Sequence, residues 1–301
     1  LTENISFKTL FLATRPMFVP ASILPVLIGT AWGCRGSGHL DFGSFAAALV
    51  GMVCMHGGAN VLNDVGDDLN GCDLINLDRI APFTGGSRAI QDGILTRRQM
   101  TVLGTGLLAC ADLIGLVLTA AKGAAVLWFG LIGGGLAIAY SLPPFSLASR
   151  GLGEAAVAVA FTLPVCACAW LQSGRFDDGT IFAALALGGW SACILIVNEI
   201  PDRLADSLSN KRTLVVRLEP GTVRPLYLGV LGVAALSADL AALSSDGALW
   251  TYLPPVLLLL IGATLPIRCG NDRKQTIMSI RATLGIHLAG GLWLTALAFV
   301  V

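Results

Sequence analysis

Along this chain, apolar residues gather in stretches of roughly 18 to 25, the length a helix needs to cross a hydrocarbon layer ~30 Å thick. Polar or Gly/Pro breaks between them predict nine spans, near 10–33, 43–66, 100–121, 124–142, 152–171, 179–201, 222–243, 248–267 and 280–301. The first contains Arg15, Pro16, Pro20 and Pro25 and is long, unlike a short cleavable leader, so it is read as a retained span. The pattern predicts an all-α membrane protein: one polytopic domain over 1–301, with nine transmembrane helices.

Composition sharpens this. Charged residues make up 13% of the chain, about half the share in a soluble domain, and mean hydropathy is +0.77. Net charge is zero, so no global field recruits nucleic acid. The eight cysteines form neither a C-x-x-C pair nor a zinc-spaced cluster and read as small buried hydrophobes. If the N-terminus faces the cytoplasm, 16 of the 19 Lys and Arg residues lie on that side, in loops 67–99, 143–151, 202–221 and 268–279 and their flanks. The opposite side holds Arg35, Lys122 and Arg175, a strong positive-inside bias.

Two acidic helix ends share that cytoplasmic side. Asn60, Asp64 and Asp68 close the second span, and Asn198, Asp202 and Asp206 close the sixth; both read N-x-x-x-D-x-x-x-D, offset by 138 residues at every position. Steps of four hold each trio within about 80° on one helix face. Four spans separate the motifs, so both point the same way, and the chain reads as a first span followed by two four-span pseudo-repeats. Ionised Asp inside a span costs roughly 2.5 to 3.5 kcal/mol, and clustered carboxylates repel. Such clustering needs a cation, and hard oxygen ligands suit Mg²⁺, expected as two ions, with Asp64, Asp67, Asp68, Asp202 and Asp206 as candidate ligands. Asp67 returns to the face of Asn60 within about 20°, so it stands in place of Asp68 or beside it. Two facing clusters predict a bridging diphosphate, with Lys211, Arg212 and Arg88 to neutralise its oxygens. Asp73, Asp78 and Asp92, taken singly, read as interfacial anchors.

These residues resemble the UbiA superfamily of intramembrane aromatic prenyltransferases. Several stretches are similar to the 1,4-dihydroxy-2-naphthoate polyprenyltransferases: Arg15-Pro16, Asn60-Val-Leu-Asn-Asp64 with Gly71 and Asp73, Thr84-Gly-Gly-Ser-Arg88, Tyr140-Ser-Leu-Pro-Pro144, Arg150-Gly-Leu-Gly-Glu154, and Asn198-Glu-Ile-Pro-Asp202 running on to Arg217. Asn210 and Cys72 depart from the usual pattern. The resemblance implies nine helices around a central cavity, capped on the cytoplasmic side by loops of about 67–99 and 202–221. It implies Mg-dependent transfer of a polyprenyl group from its diphosphate to an aromatic acid in the lipid bilayer, in menaquinone biosynthesis and in a bacterial or archaeal cytoplasmic membrane.

Within that scheme Tyr140 and Asn198 are candidates to stabilise an allylic cation, because ring faces are electron-rich. Arg15 either binds an acceptor carboxylate or snorkels. His56, on the face of Asn60 and deeper, either serves the acceptor hydroxyl or bonds a neighbouring helix, whereas His287 reads as structural. Asp112 and Asp239, inside spans, are expected to pair with polar groups on adjacent helices. The glycines allow close helix approach or leave room for a long chain. A 4-hydroxybenzoate acceptor stays open, as does a cation transporter, which calls for paired acids at the midplane.

Overall fold

A computed structural model of the protein describes residues 6–270 and 272–300. Every regular element among them is helical: α1 (Phe7–Ala13), α2 (Val19–Ser37), α3 (Phe42–Asn70), α4 (Cys72–Ile75), α5 (Arg97–Lys122), α6 (Ala125–Ser141), α7 (Gly153–Ser173), α8 (Asp178–Leu208), α9 (Leu214–Arg217), α10 (Val223–Leu243), α11 (Leu253–Thr264) and α12 (Arg273–Leu297). Seven helices are long and apolar enough to cross a membrane, and Ala125–Ser141 and Leu249–Thr264 are shorter apolar helices.

Local chemistry sets the ends. Asp41, Thr96, Asp177 and Asp272 each cap a helix by accepting a backbone N–H three residues on, and Thr96 forms a capping box with Gln99. Gly71 stops α3 in the left-handed conformation, at φ 74°. At 1.5 Å per residue α3 and α8, of 29 and 31 residues, reach about 44 and 46 Å. Both exceed a hydrocarbon core of ~30 Å, so their acidic last turns emerge at its edge.

Close packing comes from small residues. A side chain at Gly29 would meet the Val165 carbonyl at 2.2 Å, one at Gly33 the Ala169 carbonyl at 2.6 Å, and one at Gly188 the Ala158 carbonyl at 2.5 Å. These seams join α2 to α7 and α7 to α8, and the main core (Trp190, Ile196, Tyr227 and Leu231 among others) lies around α8 and α10. By contrast, a side chain at Gly130, Gly133 or Gly135 of α6 would meet nothing within 4 Å. Close approach is thus seen at the α2–α7 and α7–α8 seams, while Gly130 and Gly133 of α6 border the cavity with open space beside them.

The three cations expected opposite the cytoplasmic side meet at one end of the bundle: Lys122 pairs with Asp41 at 2.6 Å, Arg35 with Asp177 at 3.5 Å, and Arg175 donates to the Gly36 carbonyl at 3.3 Å. The midplane acids depart from expectation. Among the described residues Asp112 makes no side-chain hydrogen bond and lies exposed beside Gly134, and Asp239 keeps a buried Oδ1 without a partner.

Candidate active site

A cavity of about 420 Å³ runs between α3, α5, α6, α7 and α8, from the acidic ends of α3 and α8 to Leu118, Val126 and Leu171 at the other end of the bundle. On α8 the predicted stripe holds, since Asn198, Asp202 and Asp206 all line it. On α3 the cavity face is His56, Asn60, Asn63 and Asp67 instead. Steps of four drift 40° each time, so how each helix is turned about its own axis decides the outcome: α8 brings Asp202 and Asp206 to the cavity, whereas α3 brings Asn63 and Asp67. Asp64 and Asp68 lie off that face.

Their partners confirm the correction. Asp64, 1% exposed, holds the Arg15 guanidinium and accepts from the hydroxyl and, at 3.0 Å, the backbone N–H of Ser87. Its oxygens are thus occupied in pinning loop 76–96 one layer behind the cavity wall. Asp68 turns outward to Arg97 at 2.6 Å and Gln91 at 3.4 Å.

The acids that line the cavity are Asp67, Asp73, Asp202 and Asp206, with Glu199 beside them. Lys211 lies 2.8 Å from Asp67 and 3.5 Å from Asp206, tying the two helix ends together. Burial works against its charge, yet these two carboxylates hold its ammonium well above a lysine's ordinary value. Asn76 donates to Asp202 at 2.7 Å, and the Cys72 thiol to Asp206 at 2.7 Å, so Cys72 has a polar role beyond filling space. Burial, and then the neighbouring Asp67, pushes Asp73 up to about 6. Among the described residues three buried oxygens of the lining have no hydrogen-bond partner: Asp73 Oδ2, Asn76 Oδ1 and Asn198 Oδ1. Unpaired buried acceptors cost free energy unless a donor or cation meets them.

Loop 76–96 lies against this end, with Asn76, Phe83, Thr84, Gly85 and Gly86 lining the cavity. Gly86, at φ 68°, presses so closely that a side chain there would meet Asp73 Oδ2 at 2.7 Å and Asp64 Oδ1 at 2.9 Å. Arg88 sits behind the wall, donating to the Asp73 carbonyl at 2.8 Å and pairing with Asp92 at 3.3 Å. Arg212 is exposed and outside the lining. Arg15, Tyr140, His56 and Asn60 all line the cavity, Asn60 donating to the Thr14 carbonyl at 3.1 Å. His287, read as structural, is buried, with its Nε2 3.0 Å from Ser191 Oγ of α8.

Asp73, read from sequence as an interfacial anchor, lines the cavity, and the lining residues sequence reasoning passed over are Asn76 and Glu199, the last facing buried Glu154 and accepting from the Val215 N–H at 3.4 Å. The available signal was charge near apolar surroundings; the missing one was the fold-back of α4 after Gly71, which carries Asp73 and Asn76 over the ends of α3 and α8.

Comparison with known proteins bears on the family and the fold. The model of the UbiA prenyltransferase family matches residues 22–277. The chain is 29% identical over 297 residues to a 1,4-dihydroxy-2-naphthoate octaprenyltransferase of Mycobacterium tuberculosis, covering 97% of this chain and 96% of that one. It is 26% identical to a 2-carboxy-1,4-naphthoquinone phytyltransferase of Synechocystis, over 88% of this chain and 81% of that one. Among solved structures, a UbiA homolog from Archaeoglobus fulgidus bound to GPP and Mg2+ superposes with a TM-score of 0.70 at 13% identity, over 96% and 99% of the two chains. An apo UbiA homolog from Aeropyrum pernix K1 gives 0.66 at 15%, over 93% and 97%. An all-helical membrane bundle, a cavity closed by carboxylates and a lysine at one end, and a family match over most of the length lead to one assignment: this chain belongs to the UbiA prenyltransferase family.

Proposed function

We propose that the protein transfers a polyprenyl group from polyprenyl diphosphate to 1,4-dihydroxy-2-naphthoate at the cytoplasmic face, with Mg²⁺, expected as two ions, held by Asp67, Asp73, Asp202 and Asp206. The observation that carries this reading is the convergence of those four carboxylates, with partnerless oxygens on Asp73, Asn76 and Asn198, on one end of a cavity that continues through the bundle. Among the described residues no three of them form a closed protein cage. That suits Mg²⁺, which takes part of its shell from water and substrate phosphate. In this arrangement Asp64 and Asp68 support the site from behind.

Mg²⁺, when bound, neutralises charge on a departing diphosphate. Lys211, buried between Asp67 and Asp206, donates to the same phosphate oxygens. Arg15 presents its guanidinium to the acceptor's carboxylate. Tyr140 and Asn198, one turn further in, flank the carbon that becomes cationic, and the apolar remainder of the cavity takes the tail. The seven long helices support a reading in which they and the shorter apolar helices Ala125–Ser141 and Leu249–Thr264 cross the bilayer nine times, as a first helix and two groups of four with the N-terminus cytoplasmic.

Hydroxybenzoate is the nearest alternative acceptor; the names of the relatives matched along nearly their whole length favour the naphthoate. A transporter is disfavoured because the lining acids stand at one end beside Lys211 rather than at midplane. Incubating the purified protein with Mg²⁺, a labelled polyprenyl diphosphate and a panel of aromatic acids tests the reading. A prenylated naphthalene product is expected. Diphosphate release with no acceptor product points instead to cyclisation, and no release at all overturns the reading.

A further inference from the structure

Deeper than the carboxylates, side chains from five helices form a continuous band beside the cavity. Ser22 Oγ of α2 bonds Nδ1 of His56 on α3. The His56 ring stands perpendicular to Phe161 of α7 at 6.0 Å between centroids, and Phe161 stands perpendicular to His287 of α12 at 6.1 Å. His287 Nε2 in turn meets Ser191 Oγ of α8 at 3.0 Å. His56, Phe161 and Ser191 face the cavity, while Ser22 and His287 are buried behind them.

We propose that this band is the subsite for the ring of a hydroxylated aromatic acid, the ring lying against Phe161 and its hydroxyl donating to His56 Nε2. The inference rests on the aromatic-acceptor reading above and locates that acceptor. Ser22 Oγ partners Nδ1, so Nε2 is the nitrogen left for a ligand, and it accepts a hydrogen bond when Nδ1–H donates to Ser22. A hydrocarbon tail leaves such a nitrogen unpaired, whereas a phenolic hydroxyl pairs it. The ring edges and faces of Phe161 suit an aromatic guest, which prefers edge-to-face or offset contact. The depth is also right. His56 lies eleven residues before Asp67 on α3, ~16 Å along the axis, room for a diphosphate and a two-ring acid end to end. Two imidazoles braced against one phenyl ring and tied to serines on separate helices fix its orientation before the ligand arrives.

The test compares binding of 1-hydroxy-2-naphthoate and 2-naphthoate by their intrinsic fluorescence, without donor, to the unsubstituted protein and to His56→Leu, His56→Gln and Phe161→Leu. The hydroxylated probe is expected to bind about tenfold more tightly than the other to the unsubstituted protein. His56→Leu is expected to abolish that preference and His56→Gln to retain most of it, while Phe161→Leu weakens both probes alike. In turnover assays the acceptor KM should rise and the donor KM should not. Helicity and elution volume of each variant confirm folding, and His56→Gln keeps the test alive if His56→Leu fails to fold. An unchanged hydroxyl preference in His56→Leu, or a shift in donor KM or in preferred chain length, overturns the proposal and assigns the band to the tail. If the unsubstituted protein releases no diphosphate, the functional reading fails, and the probe comparison still decides the band.

Discussion

At the scale of single residues, adjacent carboxylates have opposite duties. Asp67 faces the cavity and Lys211, while Asp68 faces Arg97 on the outside. Asp67→Asn is expected to lower kcat/KM by at least ~100-fold, the usual consequence of losing a group that stabilises leaving-group charge. Asp68→Asn should cost a few-fold at most, since its partner Arg97 is half exposed and such pairs contribute little. Steady-state prenyl transfer in detergent micelles separates the two, and equal losses contradict the assignment. Asp64 makes a third case. Removing its carboxylate strands the mostly buried Arg15 and frees the loop at Ser87, so Asp64→Ala should destabilise the fold by about 3 kcal/mol as well as impair turnover. Thermal unfolding of Asp64→Ala beside Asp67→Asn checks this: a large drop is expected for the first and a small one for the second.

At the scale of elements, the glycines divide by what surrounds them. Gly29 seats the Val165 carbonyl of α7 against α2, and Gly133 borders the cavity with open space around it. Gly29→Leu therefore forces the helices apart, with overpacking of about 1–3 kcal/mol or more, and should lower yield and melting temperature whatever the substrate. Gly133→Leu should fold normally and instead shorten the longest prenyl donor accepted, read from product chain length by mass spectrometry. The same contrast shows how far the sequence was legible. Helix positions followed from apolar run length, because the bilayer sets that length. The α8 acids were legible as a stripe, but on α3 the lining acid is Asp67 rather than Asp64 or Asp68, because packing against neighbouring helices sets how a helix is turned about its axis and the shared N-x-x-x-D-x-x-x-D spacing does not reveal it. Asp73 and Asn76 were invisible as site residues because a tight turn at Gly71, not periodicity, brings them to α8. Arg88 and Arg212 were credited with phosphate contact on charge alone, and one is spent on the Asp73 carbonyl while the other faces outward.

At the scale of the whole molecule, polarity across the membrane follows from where charge is clustered and where it is sparse. One end gathers the cavity-lining carboxylates, Lys211 and most of the Lys and Arg residues; at the other, Arg35 and Lys122 are paired with Asp177 and Asp41, and Arg175 bonds a backbone carbonyl. The positive-inside bias counts Lys and Arg whatever their acidic neighbours, so 16 of the 19 gathered on one side predict that this side stays cytoplasmic. Glu219 and His39, both exposed, mark the two ends outside the apolar helices. In a background with the eight cysteines replaced, Glu219→Cys should react with a membrane-impermeant maleimide only in inside-out vesicles, and His39→Cys only in right-side-out ones. Labelling of both from the same side would contradict an odd number of crossings between them, and reversed labelling would place the active site on the outer face. The second outcome also bears on chemistry, because an outward site would have to meet its diphosphate donor away from the cytoplasmic Mg²⁺ pool. The charge asymmetry and the site's need for a soluble cation thus predict the same orientation from independent physics.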